Sequence, residues 1–300
     1  MTLSFEETDL ALSSGIVGRA RDRDVVWVEG PNAHTYLQGQ VTQDLDPLTN
    51  GGGVEALLLS PQGKIDAYVR VVREGEERFG VEVAEGFGGR VLERLGRFKI
   101  RVKANLELVT TRLVEVRGPL ATLDVPSTEG VLVLPYRFGV LFGYDLLGDA
   151  AAIPDGVAVG DDGAFEVARI LSGIPALDRE LTDKTIPAEA GIVERTISFT
   201  KGCYTGQELV ARLDARGNRV PWNLRSVRAA GRVAIEDGSA LFVNGDEVGR
   251  VTSSAYSPLL DLTVALGYLK RSFEVPGPVV VRSAGTDVTA DVIALGSALA

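Results

Sequence analysis

The residues with the most chemistry in this 300-residue chain lie together in Phe199-Thr200-Lys201-Gly202-Cys203-Tyr204-Thr205-Gly206-Gln207-Glu208-Leu209-Val210-Ala211-Arg212. Thr205-x-x-Glu208 has the spacing of a capping box, in which the threonine hydroxyl accepts from the Glu208 N–H and the carboxylate reaches back to the Thr205 N–H. The spacing predicts a helix from Thr205 to near Gly217. Cys203 would then stand just ahead of the helix's positive end, with Lys201 two residues away and small neighbours at Gly202 and Gly206. A helix N-terminus and an ammonium both favour thiolate, so the thiol is expected below its unperturbed pKa of about 8.5. A free cysteine is by default a small buried hydrophobe. Its polar, glycine-flanked setting tilts the reading toward reactivity.

The rest of the composition narrows what that thiol can do. Cys203 is the one cysteine, which excludes an internal disulfide, a CxxC pair and a self-contained zinc or iron–sulfur site built on several thiolates. His34 is the one histidine, so histidine metal clusters and a Cys-His relay fall away as well. With 41 acidic and 31 basic residues the formal charge is −10, which argues against a diffuse grip on phosphate backbones. Any nucleic-acid contact must be local, at an edge such as Arg212, Arg216 and Arg219. The first ten residues carry Glu6, Glu7 and Asp9 without a basic or long apolar stretch, and nowhere do 18 apolar residues run together. The expectation is a cytoplasmic monomer with no membrane segment.

Strands dominate the pattern that must position the motif. Val25 to Val28 ends at Gly30-Pro31, and Asn32 offers a cap for a short helix through Ala33, Tyr36, Leu37 and Gln40. Ala56 to Leu59 and Ile65 to Val72 flank Ser60-Pro61-Gln62-Gly63 as a hairpin. Arg78 to Ala84 is a strand, Val91, Leu92, Leu95 and Phe98 form one helix face, and Lys99 to Val109 alternates as a strand. The order strand, helix, strand predicts a split βαβ unit of ferredoxin type. Leu113 to Arg117, Val131 to Tyr136 and Val140 to Leu146 read as further strands, and Ala164 to Leu171 as a helix. Beyond Pro221, short runs at Val233–Ile235, Ala240–Val243, Val248–Ser253, Thr263–Leu269 and Val279–Val281, with a hairpin turn at Asn244-Gly245-Asp246, predict a small C-terminal β-barrel.

Several residues have two readings. Lys99, Arg101 and Lys103 would share one strand face and could meet a phosphate or another anionic group, although a solvated face is the commoner outcome. Gly51-Gly52-Gly53 lacks the lysine, hydroxyl and helix of a P-loop and reads as a flexible loop. Trp27 and Trp222 read as packing anchors.

The octapeptide Lys201 to Glu208 resembles the signature of the YgfZ family, folate-binding relatives of the glycine-cleavage aminomethyltransferase that act in iron–sulfur protein maturation and tRNA modification. The match runs on through Val210-Ala211-Arg212 and Arg216-Gly217-Asn218. Tyr36-Leu37-Gln38-Gly39-Gln40-Val41-Thr42-Gln43-Asp44-Leu45, Pro61-Gln62-Gly63-Lys64, Gly173-Ile174-Pro175 and Ile186-Pro187-Ala188-Glu189 resemble further family elements, in family order. The resemblance implies an α+β, GcvT/YgfZ-like three-part ring with a ferredoxin-like βαβ unit and a C-terminal β-barrel, around a hole that receives tetrahydrofolate or a derivative. It divides the chain into an α+β region 1–110, a second one 111–218 carrying the motif and interleaving with the first, and a barrel 219–300.

It also implies a folate-binding accessory protein for iron–sulfur cluster assembly or repair and iron–sulfur-dependent tRNA modification, partnered by assembly or client proteins. Cys203 and Lys201 would be its reactive centre. Gln38, Gln40, Lys64, Asp66, Tyr68, Arg169, Tyr204, Gln207 and Glu208 would serve the folate, with Arg169 equally open to a structural ion pair. The alternative is a tetrahydrofolate-dependent aminomethyltransferase or demethylase. Where such transferases resemble Gly-Gly-x-Ile-Asp-Asp-Leu, this chain reads Gly63-Lys64-Ile65-Asp66-Ala67-Tyr68-Val69, displacing Asp66 by one residue and so to the other strand face. Their Tyr-Thr-Gly-Glu element has no carboxylate counterpart in Tyr136-Arg137-Phe138-Gly139-Val140-Leu141. A conventional enzyme is therefore not the expectation.

Overall fold

The computed structural model describes residues 1–122, 128–139 and 141–297. Helix α1 (Phe5–Ser14) leads into β1 (Val17–Glu29), α2 (Ala33–Gln38), β2 (Gly53–Leu59), β3 (Ile65–Arg73), β4 (Arg78–Ala84), α3 (Gly88–Arg97) and β5 (Asn105–Arg117). There follow β6 (Leu132–Phe138), β7 (Leu141–Leu147), β8 (Ala158–Val159), α4 (Asp162–Leu171), α5 (Pro187–Ala190), α6 (Val193–Thr196) and α7 (Gln207–Asp214). The last third is β9 (Trp222–Ala230), β10 (Ala240–Val243), β11 (Asp246–Ser257), β12 (Leu262–Lys270), β13 (Gly277–Ser283) and β14 (Thr286–Ile293).

Strands β1 to β8 make one sheet in the order β2-β3-β4-β1-β5-β7-β6, with β8 parallel to the start of β1. Strand β1 is antiparallel to both β4 and β5, so β4 and β5 run parallel on its two sides, joined through α3. This is the split βαβ unit that the pattern between Phe79 and Val109 predicts. The long ribbon β1–β5, thirteen paired residues each, ties the halves of the sheet together. Position 110/111, the expected boundary between the first two regions, falls inside β5. Leu113–Arg117 is therefore a continuation of that strand.

Three local expectations are corrected. Lys99 to Ala104 is not strand: Arg101 takes φ 57, and the Lys103 N–H and C=O are engaged by the Asn32 Oδ1 and N–H, which leaves them outside the ladder. Asn32 thus clamps this loop and makes no side-chain cap for α2. Val233–Ile235 is not strand either, because the Val233 N–H and C=O bond the Thr263 hydroxyl rather than a neighbouring strand. Val140 of the expected strand 140–146 lies outside the described residues.

The C-terminal strands close into a barrel, β10-β11-β12-β9-β14-β13, around Val227, Leu241, Val251, Ala265, Val281 and Val292. Asn244 and Gly245 both take positive φ (51 and 89) and form the two-residue turn between β10 and β11 that right-twisted strands favour. Helix α4 carries an apolar face against the barrel, where Val167, Ile170 and Leu171 pack with Leu224, Val264 and Leu266. Its N-terminus is capped by Asp161, whose carboxylate accepts from Gly163 and Ala164 N–H.

A charged cavity and an exposed thiol loop

One face of the sheet carries a row of charges at every second residue, as strand geometry demands. Arg19, Arg21 and Arg23 of β1 lie beside Glu115 and Arg117 of β5, and Arg70 of β3 lies between Glu55 of β2 and Glu82 of β4. Their heads interlock. Glu82 accepts from Arg23 and Arg70 at 2.5 and 2.6 Å, and Asp145 pairs with Arg70 at 2.6 Å and Arg117 at 2.7 Å. Glu115 pairs with Arg19, Arg21 and Arg117, and Glu55 with Arg195. Burial alone would raise the Glu82 and Glu115 carboxyls. The guanidiniums outweigh it and hold both below the usual carboxylate range.

Above this floor lies a cavity of about 200 Å³. Its walls are Tyr68, Tyr136, Arg169 and the strap Ile174-Pro175-Ala176-Leu177. Arg169 is bound into the wall: it pairs with Glu166 and with the fully buried Glu180, reaches Ser253 of the barrel, and donates to the Ile174 carbonyl. Glu180 in turn accepts from Ala176 N–H, Thr252 and Ser253, so the barrel holds the strap that lines the cavity. The Tyr136 ring lies under the Arg117 guanidinium at 3.7 Å, and burial pushes its hydroxyl up to about 12. It stays a neutral hydrogen-bonding group at any physiological pH.

Of the expected folate residues, Tyr68 and Arg169 line this cavity; the others do not. Asp66 pairs with the buried Arg94, which also donates to the Gln40 side chain and the Leu59 carbonyl. Asp66 and Gln40 thus satisfy one structural cation. Gln38 bridges Asp44 and the Leu45 N–H, and Lys64 donates to the Lys184 carbonyl. Tyr204 packs on an apolar cluster with Leu57, Leu59, Ile65 and Ile192, which Tyr68 also borders. Glu208 is exposed.

The octapeptide forms a loop docked along residues 38–43. Ser198 N–H donates to Thr42 O, and Thr205 N–H to Gly39 O at 3.3 Å. The Cys203 residue is exposed. The expected capping box is absent: α7 begins at Gln207, two residues late, behind Gly206 in the left-handed region at φ 85. A Cβ on Gly206 would stand 2.5 Å from the Ser60 carbonyl oxygen, so packing against the β2–β3 turn dictates both the glycine and its backbone. The Gln207 side chain accepts from the Tyr204 N–H at 3.1 Å in place of the threonine–glutamate pair.

Lys201 turns inward. Its ammonium donates to Val41 O at 2.8 Å, Gln43 O at 2.8 Å and Gln38 Oε1 at 3.3 Å. Burial, partly countered by Asp44 and Asp46, pushes it down to about 8. The three protons of the ammonium are thus all engaged.

The cavity floor is what sequence reasoning missed. Its signal was present in Arg19-x-Arg21-x-Arg23 facing Glu115-x-Arg117, two period-two charge rows that a buried sheet face must pair. Among the described residues, no cluster of three or more His, Cys, Asp or Glu is placed to hold a metal, and no helix is long and apolar enough to cross a membrane.

Comparison with known proteins places these features. Residues 223–296 match the family model of the glycine cleavage T-protein C-terminal barrel domain. A mitochondrial iron–sulfur cluster assembly factor IBA57 homolog of Neurospora crassa is 27% identical over 236 residues, covering 71% of this chain but only 54% of that protein. The tRNA-modifying protein YgfZ of Klebsiella pneumoniae is 28% identical over 239 residues, 70% of this chain and 71% of that one. The fold is similar to that of glycine cleavage system aminomethyltransferase T from Bartonella henselae, with a TM-score of 0.84 at 20% identity over 98% of this chain and 90% of that one. The expected GcvT-like architecture with a terminal barrel is therefore present.

Proposed function

We propose that the chain, which is similar to YgfZ and IBA57 proteins and matches the glycine cleavage T-protein C-terminal barrel domain, is a folate-binding accessory protein. It assists iron–sulfur cluster assembly or repair, including the iron–sulfur enzymes that modify tRNA. The cavity takes the pterin head of a tetrahydrofolate. At about 200 Å³ it is below the range of pockets that enclose a whole drug-sized ligand, and suits a fused bicyclic head whose tail lies outside. Tyr68 and the Ile174–Leu177 strap supply flat and apolar walls, and the neutral Tyr136 hydroxyl a hydrogen-bonding group. The folate would bring its one-carbon chemistry or serve only as a ligand that orders the site.

The observation that favours an accessory role over one-carbon transfer is the pairing of the cavity carboxylates. Glu55, Glu82, Glu115 and Asp145 are each held by arginine, and Asp66 is spent on Arg94 outside the cavity. None of these is a free base beside a bound pterin. Cys203 is then the group that meets a client, from an exposed loop that is not part of the cavity lining. One thiol cannot hold a cluster by itself, so any cluster stays with the partner.

The test uses Cys203→Ala in a bacterium lacking its own relative. Loss of iron–sulfur enzyme activity is expected, together with unchanged tetrahydrofolate binding by calorimetry. Full activity would remove the thiol from the function. Formation of methylene-tetrahydrofolate from a methylated amine by the purified protein would favour the transferase reading instead.

A further inference from the structure

We propose that Lys201 is a positioning residue for Cys203: its ammonium pins the thiol loop to the segment after α2, and it does not set the ionisation of the sulfur. This rests on the reading of Cys203 as the reactive group, but its evidence is geometric.

A lysine two residues from a cysteine invites the view that its charge stabilises a thiolate. Here the ammonium is committed elsewhere. Its three protons meet three acceptors, Val41 O, Gln43 O and Gln38 Oε1, all on one stretch of chain. Asp44, which accepts from the same Gln38 side chain, and Asp46 supply its counter-charge. The Lys201 residue is partly buried, whereas Gly202 and Cys203 are exposed. A Cβ on Gly202 would meet no atom within 4 Å, which places that residue clear of packing between two tethered positions.

The tethers are few. Apart from the ammonium, main-chain bonds from Ser198 to Thr42 and from Thr205 to Gly39 hold the loop on this segment. Tyr204 anchors its side chain in the apolar cluster at the far end. The lysine sits between these points, and its side chain is the one in the loop 199–204 that hydrogen-bonds to residues 38–43 among the described residues. Removing it leaves the Val41 and Gln43 carbonyls without the ammonium donor and the six residues between Ser198 and Thr205 bonded to this segment only at their ends.

The experiment follows two quantities in the purified full-length chain. One is amide hydrogen exchange at Ser198 and Thr205. The other is the pH midpoint of Cys203 alkylation by iodoacetamide. In Lys201→Met, exchange at both amides is expected to quicken by about tenfold or more, while the alkylation midpoint stays within about 0.3 pH unit. Gln38→Leu removes one acceptor and keeps the charge, and it is expected to quicken exchange in the same direction with the same midpoint. That variant also decides the matter if Lys201→Met fails to fold. Lys201→Arg, which retains donors to the carbonyls, should restore much of the protection.

A rise of the alkylation midpoint by about one unit in Lys201→Met, whatever the exchange shows, would overturn the proposal in favour of an electrostatic role. Unchanged exchange in both Lys201→Met and Gln38→Leu would overturn it as well. Neither readout depends on iron–sulfur activity, so failure here is distinct from failure of the functional reading.

Discussion

The cavity floor and the thiol loop solve opposite problems with the same residue types. On the floor, charges are buried and held by many partners: Asp145, whose side chain is 3% exposed, meets both Arg70 and Arg117, and each of those meets another carboxylate. In the loop, one lysine meets three neutral acceptors and the thiol-bearing residue close by is exposed. A network in which every member is paired resists local opening. A loop with few tethers opens more readily and can present a side chain to a macromolecule. The difference separates the two parts of the proposed function, a rigid ligand cavity and a movable thiol.

The sharpest way to break this contrast is to remove a member of the floor. Asp145→Ala leaves Arg70 with Glu82 and Arg117 with Glu115 but takes the carboxylate they share out of a buried face, and losing one partner of a buried pair costs about 3–5 kcal/mol. Denaturant unfolding should show a loss of that size, with tetrahydrofolate binding abolished at temperatures where the variant is partly unfolded. A loss under about 1 kcal/mol would mean that the network relaxes freely, and the distinction between floor and loop would fail.

A smaller effect is expected from acid. Glu82 and Glu115 have folded pKa values below their unfolded ones, so the stability they contribute is fully present above about pH 4.3, the unfolded glutamate value. It is lost as pH falls through the depressed folded values. Unfolding midpoints should be level between about pH 5 and 7 and drop steeply below about pH 4. Replacing Glu82 by Gln should flatten that drop. A wild-type midpoint that stays level to about pH 2 would show that the floor pairs carry no net stability.

The same contrast explains what was legible in the sequence. The β2–β3 hairpin, the βαβ crossover and the barrel were readable because each rests on local periodicity and turn chemistry, as with Asn244-Gly245. The capping box at Thr205 was misread because Gly206 must pass tightly against Ser60, a contact between segments some 145 residues apart that overrides a local preference worth about 1 kcal/mol. Lys99–Lys103 alternated convincingly, yet the Asn32 clamp is also non-local. The thiol motif could be named from its residues. The cavity could not, since its floor joins side chains from β1, β2, β3, β4, β5 and β7 whose common face appears only once strand order is known.

The smallest expected effect is at the thiol itself. Cys203 is exposed and a Cβ on the Gly202 before it would meet no atom within 4 Å, so Cys203→Ser removes no buried surface and breaks no pairing. Its unfolding free energy should match the parent within about 0.5 kcal/mol, the usual range for surface substitutions. Tetrahydrofolate affinity should change by less than about twofold, because no residue of the octapeptide lines the cavity and a factor of two is under 0.5 kcal/mol. A Cys203→Ser variant that loses folate affinity tenfold or more would bring the sulfur to the cavity by a loop movement absent from this structure. The two regions would then be one site, and the division of labour argued from their burial would have to be abandoned.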